Sequence, residues 1–126
     1  MSTRPTIALV SDDWVRPVVH FEITARNPTT LIPFYEAMFN WPVDEEGALR
    51  NFPAGLGGPE PGPAGHFREG TPGIQLYIQV RDLDVSLAQA VELGGQVTLG
   101  RFDIPNGPTI AAITDPEGNG IGLVQQ

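Results

Sequence analysis

The 126-residue sequence contains no cysteine. Disulfides, thiolate catalysis and cysteine-based zinc or iron–sulfur sites are therefore excluded. Basic residues are few: 7 Lys and Arg stand against 15 Asp and Glu, for a formal charge of −8. Such a chain has little with which to neutralise phosphates, so a nucleic-acid partner is not expected. No apolar run approaches the roughly 18–20 residues of a membrane span. Residues 1–5, Met-Ser-Thr-Arg-Pro, carry no apolar signal core, and a cytoplasmic, acidic chain of one domain over 1–126 is expected. Serine is scarce, and no Ser- or Cys-based nucleophile arrangement is visible. The glycines between Gly55 and Gly62 lack the lysine and following helix of a phosphate-binding loop. Glycine and proline, by contrast, are plentiful at 15 and 13. Their share stays just below the range of about 25–30% typical of unpatterned disorder.

Ordered patterns begin at residues 18–24, Val-Val-His-Phe-Glu-Ile-Thr. Alternation puts Val19, Phe21 and Ile23 on an apolar face and His20, Glu22 and Thr24 on a polar one, which predicts a strand. Asn27-Pro28 starts a helix, because Asn favours the N-cap and Pro tolerates the first turn. Leu31, Phe34, Tyr35, Met38 and Phe39 give it an apolar stripe, interrupted by Pro33, and Asn40 is a plausible left-handed stop. Residues 41–43 and 49–52 read as short strands. Residues 54–65, with five Gly and three Pro, read as a loop, either a connector or a lid. His66-Phe67-Arg68 reads as another short strand.

Residues 74–80 alternate again, with Ile74, Leu76, Ile78 and Val80 apolar and Gln75, Tyr77 and Gln79 opposite. Asp82 or Asp84 caps a second helix bearing Val85, Leu87, Ala88, Val91 and Leu93, which Gly94-Gly95 ends. Strands follow at 96–99, 109–114 and 121–124, the last two joined by the turn Asp115-Pro116-Glu117-Gly118-Asn119. A shift of 55 lays His20 on Gln75, Glu22 on Tyr77, Ile23 on Ile78, Arg26 on Arg81 and Asn27 on Asp82. The shift becomes 54 after the helix, with Phe39 on Leu93 and Val43 on Val97. Two copies of one βαβββ unit follow, about 17–70 and 73–125. The expected fold class is α+β, with two tandem βαβββ modules forming a cup-shaped mixed sheet. A polar cavity is expected at their junction.

These stretches, with Pro33-Phe34-Tyr35, Asn40-Trp41, Glu92-Leu93-Gly94-Gly95, Asp103-Ile104-Pro105 and Thr114 to Leu123, resemble the vicinal oxygen chelate superfamily. That superfamily includes glyoxalase I, extradiol dioxygenases and bleomycin-resistance proteins. The resemblance implies a cup, commonly a homodimer, and in its enzymes a divalent metal (Zn, Ni, Mn or Fe) held by the first and last strands of each module. Carried over residue by residue, His20 fits a ligand position, Gln75 takes the second, and Gly122 stands where a glutamate is usual. A shift of 55 maps Gly122 onto Phe67, whereas another register across the Gly/Pro loop would turn His66 inward. The metal set is thus His20, Gln75 and His66, short of the usual carboxylate. The pocket set is His20, Glu22, Gln75, Tyr77 and Gln79. Glu22 or Tyr77 would be the base of a metal-free lyase or isomerase, although a Glu on such a face is more commonly solvated or paired with an Arg. The favoured function is binding of a small organic molecule without the full metal site; the acidic charge suits a cationic one. The alternatives are a metal-dependent glyoxalase- or dioxygenase-like enzyme, or the metal-free lyase or isomerase.

Overall fold

The structure, a computed structural model, describes residues 15–53 and 62–126. The chain runs β1 (Val18–Ala25), α1 (Pro28–Phe39), β2 (Arg50–Phe52), β3 (Ala64–Glu69), β4 (Gly73–Val80), α2 (Leu83–Glu92), β5 (Gln96–Asp103), β6 (Thr109–Thr114) and β7 (Gly120–Gln125). These strands form one mixed sheet in the order β2-β3-β1-β4-β7-β6-β5. The lid or connector assigned to 54–65 lies mostly outside the described residues; its last two positions, Ala64 and Gly65, already belong to β3.

The sheet displays the internal repeat directly. β1 pairs with β3 in parallel, and β4 pairs with β7 in parallel, so each half returns to its own first strand. The halves join where β1 and β4 run antiparallel. There Phe21 pairs with Leu76, His20 with Tyr77 and Glu22 with Gln75. Phe21 and Leu76 are related by the shift of 55 and face each other across the seam, as a local two-fold through that pair requires. The same logic corrects the register of the last strands. Glu22 pairs with His66 on β3, and its counterpart Tyr77 pairs with Gly122 on β7. His66, rather than Phe67, is therefore the equivalent of Gly122. Phe67 instead points the other way, into the core, where it is fully buried.

Three other expectations change. Residues 41–43 form no strand; Asp44 N–H bonds the Asn51 carbonyl at 2.8 Å, while Trp41 stacks on Phe52 with ring centroids 4.3 Å apart. Pro42 cannot donate to a ladder, and the side chains pack as an aromatic cluster instead. The first half thus has two strands after its helix and the second half three, among the described residues. Secondly, the helices bury a different stripe from the one their most conspicuous apolar residues suggest. In α1 Ile32 is fully buried, with Leu31 and Tyr35 against the same core, while Phe34, Met38 and Phe39 are exposed. In α2 Leu83 and Leu87 face inward and Val85, Val91 and Leu93 do not. Thirdly, the apolar face of β4 is only partly covered: Ile74 remains 68% exposed and Leu76 48%.

Two cores result, one per half. Ile23, Ile32, Val43, Phe52 and Phe67 form the first, and Val80, Leu83, Ala111 and Leu123 the second. The caps differ. Asp82 accepts the Val85 N–H at 3.1 Å, whereas Asn27 makes no side-chain cap bond and Pro28 opens α1. Asn40 closes α1 in the left-handed region at φ 59°, its N–H on the Glu36 carbonyl. No described helix is long and apolar enough to cross a membrane.

Candidate functional site

Opposite the two cores, the sheet and the loop between β5 and β6 enclose a cavity of about 530 Å³. Both halves of the same chain line it: Val19, His20, Leu49 and His66 from the first, Tyr77, Ile104 and Ile110 from the second. The space continues toward Glu22, Arg68, Gln75, Leu99 and Phe102. A one-residue bulge in β1 between Val18 and His20 breaks the alternation, and Val19 joins His20 on the cavity lining. The 104–108 loop is held by the Gly107 N–H on the Ile104 carbonyl and the Ile104 N–H on the Pro108 carbonyl, with Asn106 left-handed at φ 58°. Gln79, which alternation put on the polar face, is not part of either lining.

Strand pairing places Glu22 beside His66, and alternation keeps His20 and Arg68 on the same face. The four side chains form one chain of contacts. His20 Nε2 lies 2.7 Å from His66 Nδ1, and His66 Nε2 lies 2.8 Å from Glu22 Oε1. Arg68 donates from Nε to Glu22 Oε1 at 2.9 Å and from Nη2 to Oε2 at 3.2 Å. Thr24 adds a longer hydroxyl contact to Oε2 at 3.4 Å. Glu22 and His66 are buried, and every buried side-chain polar atom among the described residues has a partner. A buried carboxylate so surrounded is stabilised in its charged form. The His66 hydrogen bond, then the Arg68 hydrogen bond and charge, overcome burial and pull the Glu22 carboxyl down to about 2. His20 is lowered, first by burial and then by His66, against the pull of Glu22. Tyr77 is raised by burial and by the Glu22 charge.

The Tyr77 ring covers Gly122. A Cβ built at Gly122 would meet the ring carbons Cδ2 and Cε2 in hard overlap, so only glycine leaves room for the ring where it stands. His20 packs edge-on against the same ring, centroids 5.8 Å apart.

A family profile for the glyoxalase-like domain matches residues 19–124. The chain belongs to that family. It is a vicinal oxygen chelate superfamily protein, with a seven-stranded open mixed sheet and two helices among its described residues. Among curated proteins it is 37% identical over 103 residues to one named Putative glyoxylase CFP32 from Mycobacterium bovis. That alignment takes in 73% of this chain but only 39% of the relative. Its fold is similar to that of methylmalonyl-CoA epimerase from Mycobacterium tuberculosis, with TM-score 0.63 and 18% identity, over 86% of each chain. It is equally similar to a glyoxalase/bleomycin resistance protein/dioxygenase superfamily member from Vibrio splendidus, with TM-score 0.63 and 13% identity, over 89% of this chain and all of that one.

The resemblance implies metal-ligand positions at His20, His66, Gln75 and Gly122, and the residues there do not fit a metal cage. Gly122 has no donor and its side-chain space holds the Tyr77 ring. The two imidazoles are bonded to each other, and Glu22, the nearest carboxylate, is engaged on both oxygens. No set of three or more His, Asp or Glu spaced for a metal occurs among the described residues. Of the pocket set, the structure brings together His20, Glu22, Gln75 and Tyr77 and adds His66. Arg68 and the apolar lining of Leu49, Ile104 and Ile110 were not singled out as pocket residues. The Asp103-Ile104-Pro105 motif was the signal for the loop; for Arg68 it was only the general pairing tendency of a strand Glu.

Proposed function

We propose that the cup binds a small organic molecule without the metal centre used by enzymes of its superfamily. The observation that carries this reading is the Tyr77 ring lying where a carboxylate ligand at position 122 would project. The cavity is of ligand size, largely apolar, and has a few convergent polar groups, the general character of small-molecule sites. The apolar body of the ligand rests on Leu49, Ile104 and Ile110, and its polar head meets His20 and Tyr77. Glu22 and Arg68 offset each other's charge, which supports an uncharged head group more than the cationic one that the net charge of −8 suits. A cytoplasmic location is part of this reading, on the support of the cysteine-free sequence.

The test uses untagged protein. Metal content and thermal shifts with Ni²⁺, Zn²⁺, Mn²⁺ and Fe²⁺ are measured beside shifts with a panel of aromatic and aliphatic ketones and phenols. A ligand that binds only the folded state raises the midpoint by mass action. Stabilisation by organic molecules, without a metal effect that depends on His20, is expected. Stoichiometric metal that is lost in His20→Ala overturns the reading in favour of a metal-dependent enzyme.

We also propose a homodimer, supported by the uncovered apolar face of β4 at Ile74 and Leu76 and by Phe34 and Met38 exposed on α1. Apolar patches of this kind mark association surfaces.

A further inference from the structure

We propose that Asn106-Gly107 is a self-modification site. The Asn106 side-chain amide closes on the Gly107 nitrogen and then opens to a carboxylate on the lining of the cup, with water as the co-reactant. An Asn followed by Gly favours this closure, because glycine has no side chain to hinder the attacking nitrogen.

The chain holds two such steps, Asn106-Gly107 and Asn119-Gly120, and the fold treats them in opposite ways. Asn119 is held by Asp115 at three atoms. Its Nδ2 donates to Oδ2 at 2.7 Å, its N–H donates to Oδ1 at 2.9 Å, and its carbonyl accepts the Asp115 N–H at 2.9 Å. Gly120 lies in β7, paired with Thr114. Asn106, by contrast, is exposed, and its side chain has no hydrogen-bond partner among the described residues. The attacking atom carries one bond, from the Gly107 N–H to the Ile104 carbonyl at 2.9 Å. The turn also demands both members of the pair. Position 106 is left-handed at φ 58°, where Asn is among the few side chains tolerated. A Cβ at position 107 would stand 2.8 Å from Ile104 Cγ2. The reactive pair therefore follows from how the turn is built, and both residues line the cavity.

In the first step the Gly107 nitrogen gives up its proton and bonds to Asn106 Cγ. The Cγ–Nδ2 bond breaks, and ammonia leaves with that proton. Water then adds to one of the two carbonyls of the cyclic imide. Breaking the new bond to Cγ gives aspartate at position 106. Breaking the original backbone bond gives the isomer in which the chain runs through the side-chain carbonyl. One water is consumed, one ammonia is released, and nothing is oxidised or reduced. Either product adds a negative charge beside the cavity. The isomer also lengthens the backbone by one methylene between Ile104 and Gly107, whose hydrogen bond sets the shape of this wall.

Hydroxylamine cleaves a chain at the cyclic imide, so it reports each site separately. The full chain is incubated with it in mildly alkaline buffer, folded and in urea, and the initial rates of the two cuts are read by mass spectrometry. In the folded chain the cut after Asn106 is expected to be about tenfold or more faster than the cut after Asn119, because fewer hydrogen bonds must open. In urea the two rates should become nearly equal. Equal rates in the folded chain, a ratio that persists in urea, or a folded chain left uncut at Asn106 while the unfolded chain is cut, overturns the proposal. No variant is needed for this arm. The effect on ligand choice rests on the small-molecule reading of the cup and uses Asn106→Asp, one product made without ageing. Thermal-shift titrations compare acetophenone with phenyltrimethylammonium, and the variant should shift the preference several-fold toward the cation. An unchanged preference overturns the change in ligand choice. Binding of neither probe, by either chain, overturns the small-molecule reading and with it the effect on ligand choice, while the cleavage ratio decides the modification by itself.

Discussion

Glu22 and His66 are paired neighbours on β1 and β3, and their side chains meet at 2.8 Å in the floor of the cup. The pairing fixes a buried carboxylate and a buried imidazole side by side, with the half-exposed Arg68 guanidinium closing on the carboxylate. It also makes this cluster accessible to experiment, because the Glu22 carboxyl is held low by the other two side chains.

Acid should weaken the fold through Glu22. Its folded carboxyl sits near 2, below the ordinary 4.5, so the ionised form contributes stability above about 4.5. That contribution is lost as the pH falls from there through about 2, and it amounts to an order of 3 kcal/mol at most. Urea unfolding of the native chain between roughly pH 6 and pH 2.5 is expected to show this slope. Glu22→Gln should remove most of it and should cost stability at neutral pH, because Arg68 and His66 lose their charged partner.

Gly122→Ala should be costly although it adds one methyl group. The new Cβ would strike the base of the Tyr77 ring, which must swing away into the cavity. A loss of about 1–3 kcal/mol by urea unfolding, with displaced Tyr77 ring resonances, is expected. Unchanged stability and unchanged resonances would show that the Tyr77 ring does not lie over Gly122.

The two helix caps should respond differently. Asp82→Ala removes the bond to the Val85 N–H and should cost about 1 kcal/mol. Asn27→Ala removes no side-chain cap bond and should cost clearly less, well under the roughly 1 kcal/mol of a working cap. Denaturation midpoints of the two variants, compared side by side, decide this.

The uncovered face of β4 should mediate association. Light scattering after size exclusion is expected to give the mass of two chains for the native protein and of one for Ile74→Glu. A native chain that is monomeric at micromolar concentration, or an Ile74→Glu variant that remains paired, would remove the proposed interface.

Much of the fold, and the strand face shared by several candidate-site residues, is legible in the sequence, because the signals are local. Period-two alternation at 18–24 and 74–80 puts His20, Glu22, Gln75 and Tyr77 on one face, and cap and stop residues bracket both helices. The shift of 55 identifies the two halves. What the sequence alone could not decide was anything that depends on pairing between distant strands. A one-residue change in register reverses every side chain, and the Gly/Pro-rich stretch before His66 leaves that register unspecified in sequence. Only the sheet turns His66 inward and Phe67 into the core. In the same way, helical spacing marks several apolar residues on α1 and α2, but packing against the sheet selects Ile32 and Leu83 as the buried ones. Sequence determined that this chain is a repeated, cysteine-free, acidic cup with a glycine at position 122. The tertiary structure decided what that glycine is for: it makes room for an aromatic ring, beside a row of histidines tied to a buried carboxylate.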